Sequence, residues 1–184
     1  ISLAASYGIS LDGDEAAAYR RLMSGVIHSC GHIANLEAFR PEVKYPRARG
    51  YRPPRIENPY NAWAWRTEIS GAPAGPLTGI KTGVKDNICV AGVPMLVGRD
   101  ENGFVPDSDA TVVTRLLDAG ATILGKTTAS DGVGIDDFES NSPFVTVRNP
   151  RRVTHATGGS SSGSAAALVA GDIELAQGSG QGGS

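Results

Sequence analysis

The sequence predicts an α/β fold, because helical and strand-like segments alternate through its second half. A helix is predicted over residues 109–120, and a strand follows at once over residues 121–127. Further along, the apolar run 165–176 has the length of one helix followed by a short strand. The connections between these segments are short, so some parallel strand pairing is expected.

Residues typical of helix ends stand at both ends of the predicted helix 109–120. Ser108 or Asp109 can cap the start of helix 109–120, and Gly120 supplies a left-handed stop. Upstream, the segment 77–93 predicts two strands, 77–85 and 88–93. The turn between them begins with Lys85, at the end of an apolar strand.

A separate helix is predicted near the start, over residues 14–37. Asp12 or Asp14 can cap it, and acidic side chains suit the positive end of its dipole. Its apolar residues recur every three to four positions and form one face: Tyr19, Leu22, Met23, Val26, Ile27 and Ile33. A proline-rich connector follows, which Trp63 and Trp65 are expected to anchor. We therefore divide the chain into a helical segment with its connector, 1–62, and an α/β domain, 63–184.

The composition of the chain favours a globular protein over a membrane-spanning or nucleic-acid-binding one. The chain has 184 residues, of which 40% are hydrophobic and 20% charged, with a net charge of −2. This balance is typical of a soluble globular protein and argues against nucleic acid as the main partner. The sequence contains no apolar run of membrane-spanning length, and its first eight residues do not resemble a signal peptide. We expect a cytoplasmic protein without a membrane partner, in which Cys30 and Cys89 are reduced thiols.

Neither a metal site nor a nucleotide site is expected. His28 and His32 are four residues apart and could share a helix face, but no third ligand is spaced to join them. We interpret them as surface histidines. The glycine motifs that bind phosphate after a strand are missing from the sequence, so no cofactor is predicted.

Two glycine–serine clusters, 158–164 and 178–184, flank the apolar run near the end of the chain. A flexible linker has no reason to enclose an apolar segment of this kind. A nucleophilic serine needs a base, and a lysine screened from water can serve because burial disfavours its charged form. A second serine hydroxyl can relay the proton. Lys85 considered alone favours a solvated interpretation, but with these serines it forms a coherent hydrolytic set.

Three ordered segments resemble the amidase signature family. They are the lysine segment 84–88, the block 158–166, and the block 178–184. The resemblance extends from about residue 60 to residue 184 and implies an α/β/α sandwich around a central mixed sheet, of which this chain is the N-terminal portion. It also implies a reaction, the hydrolysis of carboxylic amides to acid and ammonia.

The resemblance implies roles for individual residues. Lys85 would be the base and would act through Ser160, whose preceding peptide bond is cis in this family, and Ser184 would be the nucleophile. Backbone N–H groups would form the oxyanion hole, namely those of Gln181, Gly182, Gly183 and Ser184. The segment 57–60 and the N-terminal helix are similar to amidases encoded with nitrile hydratases, which implies small amide substrates and a homodimer.

The match has departures and leaves alternatives open. Ser162 stands where the family has glycine, and Ser179 and Gly180 replace its Thr-Asp pair. Family members are longer than this chain, so we expect a fragment that stops at Ser184. An amidotransferase subunit that supplies ammonia to misacylated tRNA shares the same motifs, and a non-catalytic glycine-rich domain is the remaining alternative.

Overall fold

The computed structural model describes residues 2–36, 41–97, 103–129 and 146–180. The chain forms two compact units, Ile1–Arg40 and Pro41–Ser184. The connector therefore groups with the second unit, while the domain boundary after residue 62 stays a prediction.

The first unit contains α1, Ser2–Ser6, and α2, Gly13–Ala34. Asp12 is the N-cap of α2: its carboxylate accepts a hydrogen bond from the Glu15 N–H at 2.8 Å, and the Glu15 carboxylate accepts from the Asp12 N–H at 3.1 Å. The predicted helix and its cap are confirmed, although α2 ends at Ala34. None of its residues is buried, so its predicted apolar face is exposed within this unit.

The second unit is built on a four-stranded mixed sheet. Its strands are β1 Trp63–Ser70, β2 Lys81–Lys85, β3 Thr122–Thr127 and β6 Leu175–Gln177, and they lie in the order β1-β3-β2-β6. Its helices are α3 Thr111–Asp118 and α4 Ser162–Ala170, and a separate pair of short strands is formed by β4 Arg148–Asn149 and β5 Arg152–Ala156. Strand β1 is antiparallel to β3, whereas β2 is parallel to both β3 and β6. The predicted mixed α/β sheet is confirmed.

Each face of the sheet covers its own apolar core. One core gathers seven fully buried side chains on the side of α3: Ile69, Val84, Val90, Val93, Val113, Leu117 and Ile123. The other lies on the side of α4: Ala62, Trp63, Val147, Ala166, Ala167 and Ile173. Successive residues of β2 therefore enter opposite cores, as the alternation of side chains along a strand requires.

Two local predictions are wrong. Residues 88–93 are not a strand; they form turns whose apolar side chains are buried against α3. Helix α3 has Ala110 at its N-cap with no side-chain hydrogen bond, because the Asp109 carboxylate instead accepts from the Ala91 N–H and pairs with Arg47. Gly120 does take the predicted left-handed conformation, with φ of +91°.

The two tryptophans lie in β1, a strand that the sequence pattern did not predict. The Trp65 indole N–H donates to the Arg49 carbonyl at 2.7 Å and so anchors the connector as expected. Among the helices of the described residues, none combines the length and apolarity that a bilayer crossing requires.

Candidate active site

Lys85 is the last residue of β2, and its side chain is fully buried. Its Nζ lies 2.5 Å from Ser160 Oγ and donates to the Ser179 carbonyl at 3.1 Å. The solvated interpretation of this lysine is therefore wrong. The structure brings together the predicted base and the predicted relay, which are separated by 75 residues in sequence.

The fold directs Lys85 toward α4. Lys85 pairs with Thr127 of β3, whose hydroxyl lies 2.7 Å from the hydroxyl of Ser164 in α4. Two positions earlier, Gly83 faces the same core: a Cβ there would come within 2.8 Å of both Ile173 and Thr127. Because Gly83 has no side chain, Ile173, which follows α4, can pack closely against β2. This close packing brings the segments on either side of α4 near Lys85.

Ser160 stands two residues before the first residue of α4 and is 4% exposed. The peptide bond between Gly159 and Ser160 is cis, as the resemblance implies. Helix α4 itself contacts the sheet closely at Gly163, where a Cβ would meet the Ala62 carbonyl and the Thr128 backbone. This close approach places the loop before α4 at the end of β2.

The second glycine–serine cluster adds further contacts to the lysine. The Ser179 carbonyl accepts from both Lys85 Nζ and Ser161 Oγ, each at 3.1 Å. The Ser179 hydroxyl accepts from Asn87 Nδ2 at 2.8 Å. Ser179, one of the departures from the family pattern, therefore joins both serine loops to the Lys85 turn.

Sequence reasoning did not assign roles to Asn87 or Ser161, although both lie within the quoted motifs. Of the other departures, Ser162 Oγ donates to the Thr128 carbonyl at 3.4 Å, and Gly180 is exposed. The predicted nucleophile and oxyanion hole, Gln181, Gly182, Gly183 and Ser184, lie outside the described residues. Their roles, and that of the whole catalytic set, stay predictions.

A second polar cluster lies on the opposite face of the sheet. Lys126 Nζ donates to the backbone carbonyl of Asp86 at 3.2 Å and lies 3.3 Å from its Oδ1, and both side chains are fully buried. The other carboxylate oxygen accepts from the backbone N–H groups of Leu96 and Val97, at 3.0 and 2.6 Å. Burial raises the pKa of Asp86 and lowers the pKa of Lys126, and the attraction between the two groups opposes both changes. Sequence reasoning missed this pair entirely.

The Lys85 arrangement suits proton transfer. A neutral lysine amine has two N–H donors and one lone pair, whereas the ammonium form can only donate. With one N–H directed at the Ser179 carbonyl, the lone pair can accept the Ser160 hydroxyl proton. Ser160 can then accept a proton from a third group, which is the function of a relay.

Within the part of the chain that the structure describes, no third ligand joins His28 and His32 on α2. Across the described ranges, no three His, Cys, Asp or Glu side chains are grouped closely enough to hold an ion.

The Amidase family matches residues 59–184, which include the Lys85 turn, β1 and both glycine–serine clusters. This chain belongs to the amidase family. The match covers the whole sheet of the second unit and leaves out α2 and most of the connector.

Individual relatives agree with this assignment. The chain is 46% identical over 135 residues to an enantioselective amidase of Rhodococcus rhodochrous, covering 72% of this chain and 26% of that protein. It is 48% identical over 126 residues to a glutamyl-tRNA(Gln) amidotransferase subunit from Haloarcula marismortui, covering 68% and 29%. Among solved structures, the 6-aminohexanoate cyclic dimer hydrolase complexed with substrate matches with a TM-score of 0.51 and 32% identity, over 56% of this chain and 22% of that one. The chain therefore spans between about a quarter and a third of the length of these two curated relatives.

Proposed function

We propose that this chain is part of an amidohydrolase that converts carboxylic amides to carboxylic acid and ammonia through an acyl-enzyme on Ser184. The observation that carries the proposal is the buried contact of 2.5 Å between Lys85 Nζ and Ser160 Oγ. A fully buried lysine beside a hydroxyl and a carbonyl has the partners that a proton acceptor requires.

Acylation begins with neutral Lys85. The Ser184 hydroxyl gives its proton to Ser160 as its oxygen attacks the amide carbonyl, and Ser160 gives its own proton to Lys85. Backbone N–H groups of the loop 181–184 stabilise the oxyanion; loss of one such donor typically costs about 10²–10³ in turnover. The proton returns through Ser160 to the leaving nitrogen, the C–N bond breaks, and ammonia departs.

Deacylation uses the same relay with water. Lys85, again neutral, accepts a proton through Ser160 as water attacks the acyl carbonyl. The tetrahedral intermediate releases the carboxylic acid, and the proton returns to Ser184. Each step only moves a proton or exchanges one acyl bond, so the cycle needs no cofactor.

We infer small-molecule amides as the substrate class and a cytoplasmic homodimer as the form of the protein. Support for the substrate class comes from the enantioselective amidase relative, and support for the compartment comes from the two cysteines, which are free thiols. The homodimer rests on the resemblance to amidases encoded with nitrile hydratases. The second candidate function is that of an ammonia-supplying amidotransferase component, supported by 48% identity to the Haloarcula marismortui protein.

The test uses the full-length protein. Ammonia release is measured on a panel of simple primary amides and on glutamine, and a fluorophosphonate probe is mapped by mass spectrometry. We expect ammonia from simple amides, a label on Ser184, and neither in Ser184→Ala. Glutaminase activity that requires co-purified partner proteins would favour the amidotransferase. If the folded protein releases no ammonia and takes up no label, the protein is a non-catalytic domain.

A further inference from the structure

We propose that the buried Asp86–Lys126 pair, on the opposite face of the sheet from Ser160, positions Lys85 for proton transfer. The inference rests on the proposed amide hydrolysis and adds two positioning residues to it. It begins from the place of Asp86, the residue directly after the proposed base.

The pair acts from the far side of the sheet. Lys85 points toward α4, and the next residue, Asp86, points the other way and meets Lys126. On β3 the same alternation holds, since Thr127 pairs with Lys85 while Lys126 pairs with Val84 in the core beside α3. Movement of Asp86 is therefore transmitted directly to the backbone that carries the Lys85 side chain.

Each polar group of Asp86 has a partner either in β3 or in the loop that contains Leu96 and Val97. Its N–H donates to the Thr127 carbonyl at 2.9 Å, and its carbonyl accepts from Lys126 Nζ. One carboxylate oxygen faces Lys126, and the other accepts from the backbone of Leu96 and Val97. The strand end, β3 and the loop 95–97 thus meet at this one residue.

These contacts fix the turn in which Lys85 ends its strand. The Lys85 carbonyl accepts from the Ile88 N–H at 3.0 Å, which closes the turn, and the Asp86 contacts hold it against β3. On the other side of the sheet, Asn87 from the same turn reaches Ser179. A loosened turn would displace both Lys85 and Asn87 relative to the two serine loops.

Asp86 and Lys126 are a buried ion pair, so each single substitution leaves one charge without its partner. Asp86→Asn leaves the Lys126 ammonium and Lys126→Met leaves the Asp86 carboxylate, and either unpaired buried charge is costly. Replacing both partners by neutral groups of similar size removes the charge imbalance. The double substitution also removes the hydrogen bond from Lys126 to the Asp86 carbonyl. It can therefore restore stability without restoring the position of the Lys85 turn.

The experiment compares Asp86→Asn, Lys126→Met and the double variant in the full-length protein. Turnover, KM and thermal midpoint are measured on a simple amide. We expect the double variant to regain most of the thermal midpoint that the single variants lose. We also expect its kcat to stay about 10- to 100-fold low with KM within twofold, because misplacing a reacting group by about 1 Å can cost 10²-fold.

Leu117→Ala is the matched control. Leu117 is fully buried in the core beside α3 and touches no part of the proposed proton relay. It should lower the thermal midpoint while leaving kcat intact at temperatures well below that midpoint. If the double variant turns over within twofold of wild type, the positioning role is overturned while amide hydrolysis stands. An inactive wild-type protein would overturn both proposals.

Discussion

Two buried lysines lie at the same end of the same sheet, one on each of two adjacent strands, and their partners differ. Lys85 in β2 meets the Ser160 hydroxyl and the Ser179 carbonyl, whereas Lys126 in β3 meets the carboxylate and carbonyl of Asp86. Neither side chain has any exposed surface. Burial alone therefore does not distinguish a chemical role from a structural one.

The partner decides the role. Burial lowers the pKa of Lys126, and the Asp86 carboxylate, which favours the ammonium form, only partly offsets that change. A hydroxyl that is both donor and acceptor allows the proton to move in either direction. A buried lysine is therefore a candidate base where it meets a neighbour that can exchange a proton with it.

The largest effect should come from removing the hydroxyl partner of Lys85. In the full-length protein Ser160→Ala should lower kcat by about 10²–10⁴, the range typical of general acid–base catalysis, because the relay is cut. Steady-state ammonia release and a melting curve measured together check this. Turnover that stays near the wild-type value would mean that Lys85 and Ser160 are structural neighbours only.

Substitution of Lys126, the buried lysine on the opposite face of the sheet, should lower the free energy of unfolding. Lys126→Met leaves the Asp86 carboxylate buried without its cation, and breaking a buried pair costs about 3–5 kcal/mol of unfolding free energy. Chemical denaturation of the full-length protein measures this. A change below about 1 kcal/mol would contradict the difference drawn between the two lysines.

A smaller effect is expected from the hydroxyl pair under Lys85. Ser164→Ala removes the 2.7 Å contact with Thr127 and should cost about 1 kcal/mol of stability, since a single neutral hydrogen bond contributes about that much. Ser164 contacts Thr127, the strand partner of Lys85, and has no role in the proposed relay. The kcat of Ser164→Ala should therefore fall by much less than that of Ser160→Ala. Equal losses of kcat in the two variants would place Ser164 in the relay as well.

The smallest effect concerns the exposed cluster formed by Lys44, Tyr45 and Asp118. Hydrogen bonds from Tyr45 and then from Lys44 lower the pKa of Asp118. A carboxyl whose folded pKa is depressed stabilises the protein above its unfolded pKa and loses that contribution as the pH falls through the folded pKa. The thermal midpoint of Asp118→Asn should therefore lie below wild type at pH 7, and the gap should narrow as the pH drops below about 4. A gap that is constant with pH would show that the pairing contributes nothing.

Local signals in the sequence predicted elements well where the deciding contacts are local. The capping box of α2 lies within four residues, and Gly120 ends α3 through its own conformation. The strand predicted over residues 88–93 failed because Val90 and Val93 are apolar for a different reason, burial in turns beneath α3. Local pattern alone does not separate these two causes.

The candidate site depended on long-range contacts. Lys85 considered alone favoured a solvated interpretation, and the two glycine–serine clusters suggested a hydrolytic set. The resemblance to a family motif then pointed to Ser160, and the structure shows that contact. The Asp86–Lys126 pair had no such signal, since its members are 40 residues apart and meet only because β2 and β3 pair in parallel register. Contacts of this kind follow from topology and not from any local pattern.

The most direct test of the proposed base is a matched pair of lysine substitutions in the same strand. Lys85 ends β2 fully buried, and Lys81 begins β2 with an exposed side chain. Ammonia release by the full-length Lys85→Met and Lys81→Met variants is measured, with folding checked by their melting curves. We predict that Lys85→Met lowers kcat by about 10²–10⁴, as Ser160→Ala does, while Lys81→Met stays within a few-fold of wild type. A folded Lys85→Met variant that retains wild-type turnover would show that Lys85 is not the base.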